Sequence, residues 1–443
     1  MQNFYLLSLR IAGIKNIEEP LEIRFYKETI LNDFDPDQYK IKAIYGENGS
    51  GKTAIVTAVK ILTNILTDRN YLHDTLTQKN LVENINKKTK TGFIQIDYYL
   101  GNANASSIEE YYIGFEVRKD NRFYITSEIL RTKKGNYRQN QFKTVFETKT
   151  GSLIDFGTSD VYRLFIDRTQ NLLDQRSVAT FITEIKEEEF PQKDALPLYH
   201  VILLRLLISS INVFIDEADD HRRYVYSKIT LDTPEDMINK PHELYEEIIN
   251  HKVLFYSADR RLISKTDIDE YKKTIAKMCS FVQIFKPELL DIIVETKEWE
   301  EAYQCNLIMK YENYSIDSEY ESRGIRKLMD LFVVLDRACN GEIAFIDELD
   351  ASISDVYLGK LIEYFAYFGK GQLCFTAHNL SPMKFLKKRK NSISFISSIN
   401  TIHTWASDGN RSPENAYRNG FIEDSPFNVE ASDFLGVLGG ANE

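Results

Sequence analysis

The glycine-rich octapeptide GENGSGKT, residues 46–53, is the feature that most restricts how this chain can fold. An apolar run, IKAIY (41–45), precedes it, and from Thr53 onward apolar residues recur at steps of three and four, which indicates a helix. Glycines let backbone N–H groups turn inward toward an anion. A strand, a loop of the form GxxxxGK(S/T) and a helix in this order therefore predict a phosphate-binding loop, the P-loop.

Each position of the P-loop has an expected role. Lys52 is expected to reach the β- and γ-phosphates of a nucleotide, and the Thr53 hydroxyl is expected to ligate Mg²⁺. The positive end of the following helix would face the same phosphates. A chance match within a turn is the alternative, but the flanking strand and helix favour nucleotide binding. We therefore predict a nucleotide with Mg²⁺ as the ligand, held by Gly46, Asn48, Gly49, Ser50, Gly51, Lys52 and Thr53.

Two acids follow another apolar segment, EIAFIDELDASIS (342–354). A strand buried on both faces of a parallel sheet has this pattern, and open α/β sheets bind ligands at the carboxyl ends of such strands. Asp347 is expected to hold Mg²⁺, and Glu348 is expected to polarise the attacking water. The alternative is a pair of acids that cap a helix after an ordinary strand, but the P-loop elsewhere in the chain favours catalysis.

A histidine ends a third apolar segment, QLCFTAHN (372–379). A single histidine at a strand end is more often structural than functional. His378, however, is predicted to lie at the carboxyl edge of the next strand of the sheet, where it would sense a γ-phosphate. The predicted catalytic residues are thus Glu348, His378 and Lys52, and the predicted metal ligands are Thr53 and Asp347.

The remaining pattern divides the chain into four segments. Residues 92–150 alternate apolar and polar side chains between turn signals, which predicts an antiparallel meander. From Ser159 to about Lys297 the pattern becomes helical and charged, which predicts a helical insertion. The predicted segments are 1–158, an N-terminal ATPase lobe with the P-loop and the meander; 159–298, the helical insertion; 299–405, a C-terminal ATPase lobe with the acids and the histidine; and 406–443, a tail.

Charge and cysteine content restrict the class of protein. The 443 residues carry a formal net charge of −11, which disfavours a general attraction to nucleic acid. The four cysteines are scattered, so no zinc site or disulfide framework is expected, and a reducing cytoplasm fits. The start shows no secretory signal pattern. The most apolar stretch, residues 196–215, contains His200 and Arg205, which favours a buried helix over a membrane span.

Three basic runs, at 87–90, 131–138 and 384–390, allow two interpretations. They would contact nucleic acid or an acidic partner, or they form solvated faces, which is the more common outcome for charge runs. Aromatic residues are not interleaved densely enough to require stacking on bases. Nucleic-acid binding is therefore an open alternative and not the favoured prediction.

The order of the motifs resembles the ABC-type ATPase head shared by structural-maintenance-of-chromosomes (SMC) proteins, RecF and the OLD-type AAA family. The resemblance covers roughly residues 1–150 and 300–405, and LSLRIAGIKNI (7–17) looks like the first strand and turn of that group. FEVRKDNRFYITSEIL (115–130) is similar to the meander of a bacterial OLD-like subgroup. The best-matching relatives are stand-alone ATPase subunits of anti-phage and abortive-infection systems, including the PARIS ATPase.

The resemblance implies a fold class and roles for the motif residues. The fold class is α/β, an ABC-type P-loop ATPase head with a mixed sheet, an antiparallel meander and a helical insertion. Lys52 and Thr53 would bind ATP with Mg²⁺. Asp347 corresponds to the Walker B metal acid, Glu348 to the catalytic base and His378 to the switch histidine.

The resemblance also implies a homo-oligomer. Ser322 and Gly324 match the signature motif, which in this class acts in trans by capping the γ-phosphate bound by a second subunit. Asp350 and Ser352 match the loop that crosses the dimer interface, so ATP would join two heads. The signature here is ESRGIRK and not LSGGQ, with Arg323 between the serine and the glycine, which leaves room for slow or trigger-dependent hydrolysis.

The function implied by the resemblance is that of an ATP-hydrolysing sensor or scaffold in bacterial anti-phage defence. Such a subunit would self-assemble, respond to a phage protein and control a separate effector such as a nuclease, because no nuclease-like metal site follows residue 405. Two alternatives stay open: a RecF-like ATPase clamp on duplex DNA, and a nucleotide-binding structural protein without hydrolysis. The Q-loop glutamine also stays open between Gln170 and Gln175.

Overall fold

The computed structural model describes residues 3–27, 34–101, 106–135, 141–156, 160–181, 196–215, 225–226, 253–254, 261–299, 302–406, 412–422 and 425. Elements are numbered in chain order within these ranges. The first half contains β1 (Asn3–Ala12), β2 (Leu21–Arg24), β3 (Ile41–Gly46), α1 (Lys52–Thr67), α2 (Thr75–Asn84), β4 (Thr91–Gly101), β5 (Ser106–Val117), β6 (Phe123–Lys134), β7 (Lys143–Lys149), β8 (Ser152–Asp155), α3 (Asp160–Thr169), α4 (Val178–Phe181), α5 (Leu196–Ser209) and β9 (Ile211–Phe214). The second half contains β10 (Val225–Tyr226), β11 (Val253–Leu254), β12 (Arg261–Ser264), α6 (Ile268–Phe285), β13 (Asp291–Trp299), β14 (Ala302–Lys310), β15 (Ser315–Asp317), α7 (Arg323–Cys339), β16 (Ile343–Ile346), α8 (Asp355–Phe368), β17 (Gln372–Thr376), α9 (Met383–Leu386), β18 (Ile393–Ile396), β19 (Ile402–Thr404) and α10 (Pro413–Arg418).

Seven strands form one antiparallel sheet in the order β2-β1-β4-β5-β6-β7-β8. Side chains along these strands alternate between the core and the surface, and in β4 the buried positions are Ile94, Ile96, Tyr98 and Leu100. Successive side chains of a strand point to opposite faces, so this alternation buries one face of the sheet. The antiparallel meander predicted for residues 92–150 is confirmed.

A second sheet has the order β19-β18-β3-β17-β16-β9. Its neighbouring strands are parallel except for the pair β18 and β19. Strands β3, β16, β17 and β18 are buried along their whole length, which explains why they read as continuous apolar runs. The strand before His378 lies between the P-loop strand and the strand before Asp347, so the predicted neighbourhood of these motifs is confirmed.

Helices cover both faces of the parallel sheet and create two cores. Helices α1 and α5 pack between the parallel sheet and the antiparallel sheet in the first core. Helices α6, α7 and α8 pack on the opposite face in the second core. Neighbouring residues of one strand belong to different cores, as shown by Ile44 in the first core and Ala43 and Tyr45 in the second. The parallel sheet is therefore the layer that the two cores share.

The apolar stretch 196–215 forms two elements. Helix α5 is buried, as predicted, but it ends at Ser209, and residues 211–214 form β9. The β-branched Ile211 and Val213 suit a strand, and β9 pairs in parallel with β16 at the edge of the sheet. In the ranges given above, no helix combines the length and the apolar character that a membrane span requires.

The segment predicted as a helical insertion, residues 159–298, also contains strands. It contributes β9 to the parallel sheet, and it contributes β12 and β13 to a four-stranded antiparallel sheet completed by β14 and β15. The helical prediction is wrong for β13, DIIVETKEW, which contains three consecutive β-branched residues of the kind that favour strands. The runs DEADDHRR and ELYEEIINHK lie outside the described residues, and the predicted segment boundaries stay a prediction.

One buried side chain joins the antiparallel sheet to the parallel sheet. Gln372, at the start of β17, accepts a hydrogen bond from the Leu6 N–H at 2.7 Å and donates its Nε2 to the Leu6 carbonyl at 3.0 Å. The pairing of β1 with β4 is irregular between Leu6 and Ser8. The amide therefore satisfies backbone groups at a point where the strand ladder is interrupted.

We expect Gln372→Leu to lower the free energy of unfolding by about 1–3 kcal/mol, because it leaves a buried N–H and a buried carbonyl without partners. Gln141→Leu makes the same change at an exposed position and should alter the stability by less than about 0.5 kcal/mol. Urea unfolding of both variants measures the difference. Equal unfolding midpoints would contradict a role for Gln372 in joining the sheets.

Candidate functional site

The P-loop leads from the end of β3 into the first turn of α1. Gly51 is the N-cap of α1 with a φ of 106°, a left-handed backbone that residues with side chains rarely adopt. An added Cβ at Gly46 would lie 2.5 Å from the Ile396 carbonyl oxygen, so glycine is required for the close approach of β18. These two glycines let the backbone curve tightly at the start of a helix, where N–H groups bind anions.

Two asparagines hold the P-loop from outside the motif. Asn16 Nδ2 donates to the Gly49 carbonyl at 2.6 Å, and Asn400 Nδ2 donates to the Ser50 carbonyl at 2.9 Å. Asn16 follows β1 and Asn400 follows β18. Two segments that are far apart in the sequence therefore hold the loop. Sequence analysis did not identify either residue, because neither belongs to the GxxxxGK(S/T) pattern. The bonds keep the loop in one conformation before a ligand binds, which lowers the cost of binding.

Lys52 is folded onto its own loop. Its Nζ donates to the carbonyl oxygens of Gly46 at 2.7 Å and Glu47 at 2.9 Å, and the residue is 6% exposed. Burial lowers the pKa of Lys52, while the nearby carboxylates of Asp347 and Glu348 oppose that shift. The ammonium is thus held beside both acids by neutral carbonyls, which phosphate oxygens can replace.

Thr376 orients both acids that follow β16. Its hydroxyl donates to Asp347 Oδ1 at 2.5 Å and accepts from the Glu348 N–H at 2.8 Å. The hydroxyl lies in a fully buried side chain at the end of β17. Glu348 has a φ of 48°, an uncommon conformation outside glycine that is found at functional sites. Sequence analysis did not identify Thr376; the only signal was its place two residues before His378.

His378 lies next to Glu348, with 3.9 Å between Nε2 and Oε1 and about half of each side chain exposed. The backbone of this loop is held by Asp350, whose Oδ2 accepts from the N–H groups of His378 at 2.9 Å and Asn379 at 2.6 Å. Asp350 therefore positions the histidine within its own chain. Its predicted place at a dimer interface stays a prediction, and the Ser352 side chain lies outside what the structure describes.

The predicted catalytic groups surround a cavity of about 250 Å³. Its lining residues are Lys15, Asn16, Asn48, Gly49, Gly51, Lys52, Thr53, Ala54, Glu348 and His378. Lys15, which sequence analysis did not identify as a site residue, adds a second ammonium group. The cavity thus combines two cationic side chains, a hydroxyl group and the start of a helix, a combination that suits a chain of phosphates.

The donor set near this cavity fits a nucleotide with Mg²⁺. The Thr53 hydroxyl and the Asp347 carboxylate are oxygen ligands of the kind that Mg²⁺ prefers. Within the described ranges, no group of three or more His, Cys, Asp or Glu residues is placed to hold a metal ion. Mg²⁺ commonly uses one or two carboxylates together with water and substrate phosphates. The assignment of Thr53 and Asp347 as ligands stays a prediction.

The signature residues lie away from this cavity within one chain. Ser322 is the N-cap of α7 and Gly324 lies in its first turn; both are exposed and neither lines the cavity. An added Cβ at Gly324 would meet no atom within 4 Å, so space lies in front of this turn. Gln170 and Gln175 do not line the cavity either. A contact between Ser322 and the nucleotide of a second copy stays a prediction.

No protein-family model matches the chain, and no curated protein sequence matches it. Matches occur among solved structures. The SMC head domain from Thermotoga maritima aligns with 12% identity and a TM-score of 0.33, over 90% of this chain and 99% of that one. The recombination mediator protein RecF of the RecFOR pathway aligns in its ATP form with 11% identity and a TM-score of 0.39, over 91% and 100% of the two chains. Its ATPrS form aligns with 11% identity and a TM-score of 0.38, over 91% and 99%.

The fold class follows from the strand order and the loop positions described above. A parallel sheet brings together the P-loop strand, the strand before the two acids and the strand before His378. An antiparallel meander covers the side of this sheet on which α1 packs. The chain therefore has the predicted fold, that of an ABC-type P-loop ATPase head.

We expect Thr376→Val to lower the free energy of unfolding by roughly 1–3 kcal/mol, because it leaves the buried carboxylate of Asp347 without its hydroxyl donor. Thr376→Ser keeps the hydroxyl and should lose clearly less. Urea unfolding followed by circular dichroism compares the two variants. If the valine variant proved as stable as the serine variant, the hydroxyl would not be what holds the two acids.

Proposed function

We propose that the chain binds ATP with Mg²⁺ and hydrolyses it. The observation that carries this proposal is the convergence of Lys52, Thr53, Glu348 and His378 on one cavity. These residues come from three separate segments, and the strand order β3-β17-β16 brings them to one edge of the sheet. A phosphate-binding loop that faces a carboxylate and a histidine is the arrangement needed to place water against a terminal phosphate.

In this proposal each side chain has a distinct task. Lys52 Nζ gives up its hydrogen bonds to the carbonyls of Gly46 and Glu47 and donates to phosphate oxygens instead. Thr53 and Asp347 would hold Mg²⁺, which would supply positive charge to neutralise the phosphates. Glu348 orients the attacking water and takes its proton, and its half-exposed side chain is accessible to solvent for that task. His378 lies within 3.9 Å of that carboxylate, where it would contact the γ-phosphate.

The direction of α7 supports assembly of two copies. This helix has 17 residues, so it is about 25 Å long, and residues 340–342 join its end to the start of β16. Its beginning therefore points to the same edge of the sheet as the P-loop, while its body packs on the face opposite to α1. Ser322 of one copy would then cap the nucleotide of another copy, and ATP would join the two.

The cellular role that we propose is control of a separate effector, such as a nuclease, in a bacterial anti-phage system with a phage protein as the trigger. The support is the resemblance of the meander at residues 115–130 to that of the bacterial OLD-like subgroup, together with the acidic net charge. Assembly and release driven by ATP would transmit the signal to the effector.

We expect Glu348→Gln to trap ATP and to stabilise assemblies, because it removes the water-activating carboxylate and leaves the phosphate contacts in place. Lys52→Ala should prevent ATP-dependent assembly, because it removes an ammonium group that holds the phosphates. Mass photometry with and without ATP and Mg²⁺ measures the oligomer sizes. Phosphate release should fall by at least about 100-fold in Glu348→Gln, the usual loss for a general base.

Two matched variants control this comparison. Glu312→Gln and Lys388→Ala make the same chemical changes at exposed positions outside the cavity, so both should assemble and turn over like the unaltered protein. Equal oligomer sizes for Glu348→Gln and Lys52→Ala, with and without ATP, would refute assembly through bound ATP.

Affinity purification of the Glu348→Gln form from its native host tests the cellular role. We expect an effector, such as a nuclease, to co-purify with this variant and to be absent from the Lys52→Ala purification, because only the first holds ATP. Duplex DNA as the sole companion of the trapped form would contradict the effector role and would indicate a RecF-like clamp.

A further inference from the structure

A buried ionic cluster holds the residue that directly precedes Ser322. Glu321 is 8% exposed, its Oε1 lies 3.0 Å from Lys286 Nζ, and the same oxygen accepts a hydrogen bond from the Tyr311 hydroxyl. Lys286 Nζ also lies 4.6 Å from the centroid of the Tyr311 ring. The three side chains therefore contact one another pairwise, through an ion pair, a hydrogen bond and a cation–π contact.

The second oxygen of the same carboxylate holds the backbone of Ser322. Glu321 Oε2 accepts from the Ser322 N–H at 2.7 Å. The helix cap of Ser322 itself is weaker, because its Oγ accepts from the Ile325 N–H at 3.4 Å, beyond the usual range for such bonds. The carboxylate is thus the firmer of these two restraints on Ser322.

The cluster keeps Glu321 ionised. Burial alone would raise the pKa of Glu321, but the hydrogen bonds from Tyr311 and Ser322 and the charge of Lys286 together hold that pKa below its ordinary value. An ionised carboxylate accepts shorter and stronger hydrogen bonds than a neutral group. An amide at this position would keep the shape of the side chain and lose the charge.

The residues that hold Glu321 come from other elements than the helix that Ser322 begins. Lys286 is the C-cap of α6, and Tyr311 directly follows β14. Both elements pack with α7 in the second core, on the face of the parallel sheet opposite to α1. The cluster thus couples the position of Ser322 to the layer formed by α6 and β14, and it does not involve the P-loop of the same copy.

We propose that Glu321 is a positioning residue, through which the α6 and β14 layer fixes Ser322 for the nucleotide of a neighbouring copy. The inference rests on the trans capping proposed above. Glu321 does not contact the nucleotide; it fixes the backbone from which the Ser322 hydroxyl is presented. Loss of its charge would weaken the cap and leave Lys52 and Glu348 undisturbed.

Glu321→Gln in the full chain tests this role. At a protein concentration where mass photometry shows single heads, a fluorescent ATP analogue should bind with unchanged affinity, within about twofold, because the P-loop is intact. At assembling concentrations, kcat for ATP hydrolysis and the ATP-dependent dimer fraction should both fall about tenfold, the effect of losing a charge-assisted hydrogen bond. If Glu321 had only a structural role, the variant would lower both the affinity of single heads for the ATP analogue and kcat for ATP hydrolysis.

Two further variants sharpen the comparison. Glu312→Gln makes the same acid-to-amide change at an exposed position in the turn after β14 and should keep kcat unchanged. Lys286→Met removes the cation that holds Glu321 and should lower kcat in the same direction with the same unchanged affinity of single heads.

Combining Glu321→Gln with Ser322→Ala distinguishes an effect that acts through Ser322 from one that is independent of it. If Glu321 acts through Ser322, then Glu321→Gln should lower kcat little further in a chain that already contains Ser322→Ala. A further tenfold loss in that chain would overturn the inference, as would an unchanged kcat in Glu321→Gln when Ser322→Ala alone lowers it. An unchanged kcat in Ser322→Ala alone would overturn the trans capping itself, and the inference with it.

Discussion

The parallel pairing of β3, β17 and β16 is the constraint on which the whole site depends. The registers place Ile44 beside Thr376 and Phe375 beside Ile346, so the three strands end at nearly the same level. Because the carboxyl ends of parallel strands meet at one edge of a sheet, the P-loop, the acids and the loop of His378 leave the sheet side by side. The P-loop lies in the first part of the sequence, and the acids and His378 lie more than 290 positions later. The site therefore exists only when the sheet has formed.

The carboxylates of Asp350 and Glu321 each hold nearby backbone in place. Asp350 holds the loop of His378 through two backbone N–H groups, and Glu321 holds Ser322 through one. Hydrogen bonds to a carboxylate are stronger than those between neutral groups, so each of these acids restrains the backbone beside it. Glu348 differs, because its side chain is half exposed while its backbone is held, its N–H donating to Thr376 and its carbonyl accepting from the Ala351 N–H. Its backbone is fixed while its carboxylate stays accessible to water, which is what a general base requires.

The sequence was sufficient for features that are local and insufficient for those that depend on distant contacts. The P-loop, the helix that follows it and the meander follow from residue spacing within a few turns or strands. Asn400, Thr376 and Gln372 escaped prediction because each acts on backbone or side chains far along the chain, where no periodicity points to them. The strand β13 was mistaken for helix because it stands in a charged helical context, and its pairing with β14 decides its conformation.

The start of α7 favours an incoming anion, and this bears on how two copies would be joined. Its first turn contains Arg323 and Arg326 and no acid, although the N-terminal end of a helix is itself positive. Glu321 supplies one negative charge directly before the helix, but that charge is committed to Lys286 and to the backbone of Ser322. In the proposed assembly, a γ-phosphate held by a second copy would meet this positive end of the helix. In that assembly the nucleotide would contribute to the attraction between the copies, and loss of the γ-phosphate by hydrolysis would loosen them.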